Sequence, residues 1–529
     1  MSKTKNSFIE GAFILVVANA LTKIIGAIFK IPLSNLMGSE GMGLFDVAYG
    51  IYTALFVIAT AGLPVAISKM VSESRALGRR EEASRIVSVA LSAFAVFGLA
   101  ATAVLWFGAD LLAAKVGNSG AAPAVRAIAP SLFFVSVMSI IRGYYQGLSD
   151  MRPTAISQVL EAVGKLSVGY VAAWLMLKRG LGIEMAAAGA IFGVTCGSAL
   201  SFLYLVLKKW KETRVSPLSS YNGQVASRGT LLKRLIATAI PVTVGASVIS
   251  LTNLLDMAMV MNRLQDIGFS EKAATELYGS LGLARNIFNL PQTLIVAVSI
   301  SIIPAISAAY AKGRYDSARR TTETALRVAS LIALPAAAGL FALSGPILKV
   351  IYYKRPEDCV TATPLLTVLS IAVIFVAMVS LTNSILQAMG RVRVPVYTML
   401  IGGAVKLTVN YFLIGNPKIN ILGAPIGTTL CYAVITVLNL IVIGQCGLRL
   451  NYFSIYLKAG LASLVMGGFA WIAYPPAAGL LGEKLGVLAV IAAAALVYLV
   501  LVIVLRVLPK EDIMLLPKGD KIAKILRIH

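Results

Sequence analysis

Fourteen runs of about twenty apolar residues, the first at 8–33 and the last at 485–507, dominate this chain. As a helix, a run of that length spans the hydrocarbon core of a bilayer. No water is present there to satisfy backbone N–H and C=O groups, so spanning segments of this length must be helical. The composition agrees. Hydrophobic residues make up 58% of the 529 and charged residues 13%, where a soluble domain has about 25% charged. The expected fold is an all-α polytopic membrane protein with fourteen transmembrane helices. The first run has no small-residue cleavage site and continues to Pro32, which marks a retained helix rather than a removed leader.

The formal net charge is +24, from 47 Lys and Arg against 23 Asp and Glu. In a soluble protein that excess would point to nucleic acid. In a membrane protein it first reports topology, because basic residues collect in cytoplasmic loops. With the N-terminus inside, alternate loops divide the basic residues about three to one. The rich side holds clusters such as Lys69, Arg75, Arg79, Arg80 and Arg85, and Lys208, Lys209, Lys211, Arg214, Arg228, Lys233 and Arg234. The poor side holds scattered residues such as Lys115, Arg126 and Lys354. This bias predicts two cytoplasmic termini and an even helix count, and it leaves no nucleic-acid signal.

Other counts exclude chemistry. The one histidine is His529, the last residue, which removes histidine acid–base catalysis and histidine metal sites. Cys196, Cys359, Cys431 and Cys446 lack CxxC spacing and read as small buried hydrophobes. There is no GxxxxGK[ST] phosphate loop, so no nucleotide partner is expected.

The chain repeats itself. GRREEASR at 78–85 aligns with GRYDSARR at 313–320, KLSVGY at 165–170 with KLTVNY at 406–411, and GAIFGVT at 189–195 with GAPIGTT at 423–429. Six helices separate the copies, so each match falls on the same side of the membrane and the repeat is parallel. The implied organisation is an N-terminal six-helix bundle (1–207), a cytoplasmic linker (208–234) and a C-terminal six-helix bundle (235–446). Two further helices (447–507) and a basic amphipathic cytoplasmic tail (508–529) on the anionic inner leaflet complete it. Two similar bundles around a central cavity can rock and give alternating access. The GxxxG pairs Gly189/Gly193 and Gly423/Gly427 stand at equivalent positions and allow close helix approach.

Ionisable residues inside the spans are the strongest functional signal: Lys23, Lys30, Glu161, Lys165, Asp256, Arg285 and Lys406. Seven such charges cost on the order of 20 kcal/mol before pairing or hydration. Helical spacing gathers them on polar stripes: Asn19, Lys23, Gly26, Lys30; Thr154, Gln158, Glu161, Lys165; Gly282, Arg285, Asn289, Gln292; Ser380, Asn383, Gln387; and Gly403, Lys406, Asn410. Five cations against two acids suit an anionic cargo such as a phosphate or pyrophosphate. Structural readings stand beside this one. Glu161 and Lys165, four residues apart, are placed to neutralise each other; Lys30 is near enough a helix end to snorkel; Asp256 is available to bridge to Lys406. The candidate substrate-binding residues are Asn19, Lys23, Lys30, Glu161, Lys165, Arg285, Asn289 and Gln387.

GLPVAISK (62–69), RGYYQG (142–147) and SQVLE (157–161) resemble the stage V sporulation protein B and MurJ-like branch of the multidrug/oligosaccharidyl-lipid/polysaccharide exporter superfamily. The resemblance covers most of the chain. It implies fourteen helices with duplicated halves and a flippase for an undecaprenyl-pyrophosphate-linked sugar such as lipid II or a related polysaccharide precursor. It places the chain in a bacterial cytoplasmic membrane, with membrane lipids and an anionic lipid-linked glycan as partners. Lys23 and Lys30 stand where the family's first helix carries basic residues, and Arg285 resembles its eighth-helix arginine. The 44–68 run lacks the arginine that MurJ-like relatives carry there. No cofactor is implied. Coupling is expected from the membrane potential or a sodium ion, with Asp256, Asn410 and Thr428 as the candidate sodium ligands and Lys406, one turn away, as an alternative to the bound ion. A cation-coupled multidrug antiporter of the same superfamily is the second reading, since such a cargo favours acids over cations. A membrane-embedded glycosyltransferase or polymerase ranks third, because the outward loops are short.

Overall fold

The computed structural model describes residues 2–215, 226–448, 450–505 and 507, with most of their side chains. The basic tail expected at 508–529 and the middle of the expected linker, 216–225, lie outside the described residues. All regular secondary structure among the described residues is helical. In chain order the helices are α1 (Ser2–Thr60), α2 (Leu63–Ala76), α3 (Arg80–Phe107), α4 (Ala109–Lys115), α5 (Ala122–Ile128), α6 (Ser131–Gly147), α7 (Arg152–Lys178) and α8 (Ile183–Val215). They continue as α9 (Arg228–Asp266), α10 (Glu271–Ala311), α11 (Tyr315–Ile351), α12 (Pro356–Ala388), α13 (Val394–Ile414), α14 (Gly423–Gln445) and α15 (Tyr452–Val504).

Eleven helices among the described residues are long and apolar enough to cross a membrane. Two of the longest change direction at a glycine. In α1 the break is Gly38 (φ 71, ψ −170), and in α15 it is Gly482 (φ 79, ψ 161). A side chain at these dihedrals would be strained, so glycine marks where the chain ends one helix and starts the next. The apolar runs at 8–33 and 44–68 lie on either side of Gly38, and those at 455–475 and 485–507 on either side of Gly482; the run at 278–309 lies within α10. Helix starts follow local chemistry as well: α2, α5, α7, α12 and α13 carry proline in the first turn, where no N–H is required.

The chain divides into two compact units, Met1–Gly279 and Ser280–His529. In unit 1, α7 packs on α8 and α1, while α2 and α3 pack on α6 and α9. Leu63, Ile67, Met70 and Val71 of α2 meet Ile86 and Val87 of α3, Ile140 of α6 and Leu231 and Leu235 of α9. Residues 235–262, expected from the sequence to open the C-terminal bundle, lie in α9, which belongs to unit 1. In unit 2, α11 packs on α12 and α15, and α14 on α12 and α13. Lipid tails are as apolar as leucine, so close packing and hydrogen bonds hold such helices together.

Candidate functional site

The α7–α8 crossing is built on glycine. A Cβ on Gly193 would lie 2.5 Å from the Cα and N of Gly169 and 2.7 Å from the Lys165 carbonyl oxygen. One on Gly164 would lie 2.6 Å from Gly197 Cα, and one on Gly197 would run into the Glu161 carbonyl oxygen. Backbone thus lies on backbone beneath the turn bearing Glu161, Lys165 and Gly169, which fixes where those charged side chains leave the helix. The opposite contact is aromatic: Phe29 of α1 sits against Gly169, so that a Cβ there would be 3.2 Å from the ring.

Around this crossing the structure assembles two ion pairs and a lone ammonium. Lys30 Nζ donates to Asp46 Oδ1 at 3.1 Å across the Gly38 break in α1. Arg142 of α6 donates through a terminal guanidinium nitrogen to Glu161 Oε2 at 3.0 Å and through Nε to Ser157 Oγ at 2.9 Å, with Ser201 Oγ at 3.4 Å. Lys165 Nζ lies 4.7 Å from the centre of the Tyr49 ring, 5.5 Å from Phe29 and 5.7 Å from Phe45. Among the described residues no carboxylate is within ion-pair distance of it. The rings form a continuous series: Phe29 with Phe45 at 6.2 Å, Phe45 stacked on Tyr49 at 6.0 Å, Tyr49 with Tyr52 at 5.9 Å. An ammonium over aromatic faces is held by their quadrupoles, worth about 0.5–2 kcal/mol.

Of the residues expected from the sequence, Lys30, Glu161 and Lys165 come together here. Glu161 pairs with Arg142 rather than with Lys165, because the Arg142 guanidinium reaches across from α6. The side chains of Asn19 and Lys23 lie outside the described residues. Asp256 is buried in α9 of unit 1. Arg285, half-buried, and Asn289, exposed, belong to α10 in unit 2, and Gln387 is exposed near the end of α12. Asn410 and Thr428 are buried at the α13–α14 crossing, where the Thr428 hydroxyl donates to the Ala424 carbonyl at 2.8 Å. Of the three sodium candidates, Asp256 belongs to unit 1 and Asn410 and Thr428 to unit 2. Among the described residues no group of three or more His, Cys, Asp or Glu side chains is placed to hold a metal.

Asp46, Arg142 and the rings were not among the residues expected from the sequence. Asp46 is the third residue of an apolar run, and Arg142 lies near the end of another, where each counts as a boundary charge. The aromatic residues carry no signal distinguishing an ammonium-facing ring from a lipid-facing one. Arg142 did stand in the RGYYQG motif, beside the SQVLE motif that supplies its partner Glu161.

The family model for polysaccharide biosynthesis proteins matches residues 8–310, and the MatE model matches 241–412. The chain is 26% identical over 520 residues to the stage V sporulation protein B of Bacillus subtilis (strain 168), covering 97% of this chain and 98% of that one. It is 27% identical over 448 residues to the lipid II flippase MurJ of the same organism, covering 81% and 80% of the two chains. A solved structure of the lipid II flippase MurJ in an inward closed conformation superposes with a TM-score of 0.73 at 16% identity, over 92% of this chain and 98% of that one. With the charged, glycine-built crossing carried on an all-helical frame of this fold, the chain belongs to the polysaccharide biosynthesis protein family, in the stage V sporulation protein B and MurJ-like branch of the multidrug/oligosaccharidyl-lipid/polysaccharide exporter superfamily, and is a multi-pass membrane transporter rather than an enzyme.

Proposed function

We propose that the protein moves an undecaprenyl-pyrophosphate-linked oligosaccharide, lipid II or a related polysaccharide precursor, from the inner to the outer leaflet of a bacterial cytoplasmic membrane. One observation carries this reading: the Lys165 ammonium rests on three aromatic faces with no paired carboxylate among the described residues. Aromatic faces hold a cation more weakly than a charge-assisted bond to a phosphate oxygen does, so an arriving pyrophosphate outcompetes them. Lys30 adds a second cation, shared with Asp46 until a stronger anion takes it. Lys23, by its place on the same stripe, is proposed as a third. The names of the relatives support the class of cargo.

Motion comes from the repeat. Two parallel six-helix halves, 1–207 and 235–446, shift access from one face to the other with both termini cytoplasmic, and the bias of basic residues supports that orientation. The membrane potential is the proposed coupling source, acting on the charge of the bound cargo and its cations. A sodium ion held by Asp256, Asn410 and Thr428 is the alternative coupling source.

The aromatic series beside Asp46 favours a second reading, an antiporter for cationic drugs, because rings and an acid suit a cation. Lys165 already occupies those rings, which ranks this reading second. The test is rescue of a bacterium depleted of its essential lipid II flippase. Wild type is expected to rescue, and Lys30→Ala and Lys23→Ala to fail at equal membrane levels. A well-expressed wild type that does not rescue contradicts lipid II as the cargo.

A further inference from the structure

The charged cluster contains three described cations, Lys30, Arg142 and Lys165, and two carboxylates, Asp46 and Glu161. They leave one net positive charge, and the geometry shows where it resides. Glu161 and Lys165 are four residues apart on α7, a spacing at which a carboxylate and an ammonium meet readily. They do not pair, because Glu161 is held at 3.0 Å by Arg142. Arg142 is in turn fixed by Ser157 at 2.9 Å and Ser201 at 3.4 Å, and Ser201 Oγ donates to the Ser157 carbonyl at 2.6 Å. The side chains are 15% and 25% exposed for Arg142 and Glu161, so their attraction is only partly screened.

We infer that Arg142 is a positioning residue for the anion site: by sequestering Glu161 it keeps the Lys165 charge uncompensated and available to the cargo. Arg142 does not touch the cargo itself. Glu161, expected from the sequence among the cargo-binding residues, acts here as a counter-charge and not as a cargo contact. Without Arg142 it turns to Lys165, the cluster becomes neutral, and the site loses its affinity for anions while Lys30 and Lys165 remain in place. This rests on the anionic-cargo reading above.

The test is equilibrium binding of farnesyl pyrophosphate to the full-length protein in lipid nanodiscs, with farnesol as the uncharged control. Wild type is expected to bind the pyrophosphate in a salt-sensitive manner. Arg142→Gln is expected to bind it about tenfold more weakly, with farnesol partition unchanged. Arg142→Gln combined with Glu161→Gln restores the net charge and is expected to return the affinity to within about twofold of wild type. Arg142 acting only as a brace between α6 and α7 predicts instead that the double variant binds no better than Arg142→Gln, and that result overturns the inference. Wild-type-like binding by Arg142→Gln overturns it too, leaving the cargo reading intact. No salt-sensitive binding by wild type overturns the cargo reading, and the role given to Arg142 with it.

Discussion

The α7–α8 and α13–α14 crossings carry matching sequences, KLSVGY and GAIFGVT against KLTVNY and GAPIGTT, and they differ in chemistry. Lys165 corresponds to Lys406, and the same spacing carries Ser157 to Thr398, Glu161 to Gly402 and Gly169 to Asn410; on the neighbouring helix it carries Arg142 to Asn383. In the first copy these positions form an ion pair buttressed by hydroxyls. In the second they form a neutral network: Thr398 Oγ1 donates to Asn439 Oδ1 at 2.9 Å, and Asn439 Nδ2 donates to Thr382 Oγ1 at 2.9 Å and Asn383 Oδ1 at 2.8 Å. The helix contact differs too. Gly193 meets the backbone of Gly169, whereas its counterpart Gly427 meets the side-chain amide of Asn410. Around Asn439 the second crossing uses hydroxyls and amides where the first uses an ion pair, at a fraction of the desolvation cost of ions. The Arg142–Glu161 pair has no charged counterpart at Asn383 and Gly402, which sets the first crossing apart chemically.

Substitutions that separate the copies sharpen this contrast. Gly193→Ala sets a methyl against unyielding backbone and is expected to cost about 3 kcal/mol or more. Gly427→Ala sets a methyl against the buried Asn410 amide, a side chain rather than backbone, and is expected to cost less, about 2 kcal/mol. Thermal unfolding of the detergent-solubilised protein compares them, and equal losses would break the distinction between a rigid and a yielding crossing. Arg142→Met removes the guanidinium bonds to Ser157, Ser201 and Glu161, with Glu161 left to pair with Lys165, and is expected to cost about 2 kcal/mol. Its counterpart Asn383→Leu removes one hydrogen bond of a neutral network, about 0.6 kcal/mol in a membrane protein. The same unfolding assay reads both, and a reversed order would place the structural burden on the second copy. The smallest effect is expected from Tyr49→Leu. It removes one of three rings under Lys165, worth about 0.5–1 kcal/mol, so pyrophosphate binding in nanodiscs changes by no more than about fivefold.

Much of this was visible in the sequence. The apolar runs dictated an all-helical membrane fold because lipid permits little else, and the GxxxG pairs lay where the helices cross. Lys30, Glu161 and Lys165 stood out because a charge inside an apolar run is costly. Their partners did not. The contact between Lys30 and Asp46 depends on the chain reversing at Gly38, and that between Arg142 and Glu161 on α6 lying beside α7; both are tertiary facts. The i,i+4 spacing of Glu161 and Lys165 suggested a pair that Arg142 intercepts. The difference between the two copies was written in the residues aligned with Lys165 and Lys406, but only the hydrogen bonds showed which network each set makes.

Transport in proteoliposomes tests the central claim most directly: flipping of a fluorescent undecaprenyl-pyrophosphate-linked sugar by wild type, Lys165→Ala and Lys406→Ala. A functional site in the first copy predicts that Lys165→Ala loses at least about tenfold in rate while Lys406→Ala stays within about twofold of wild type. Equal rates for Lys165→Ala and wild type, or a larger loss for Lys406→Ala, would contradict it.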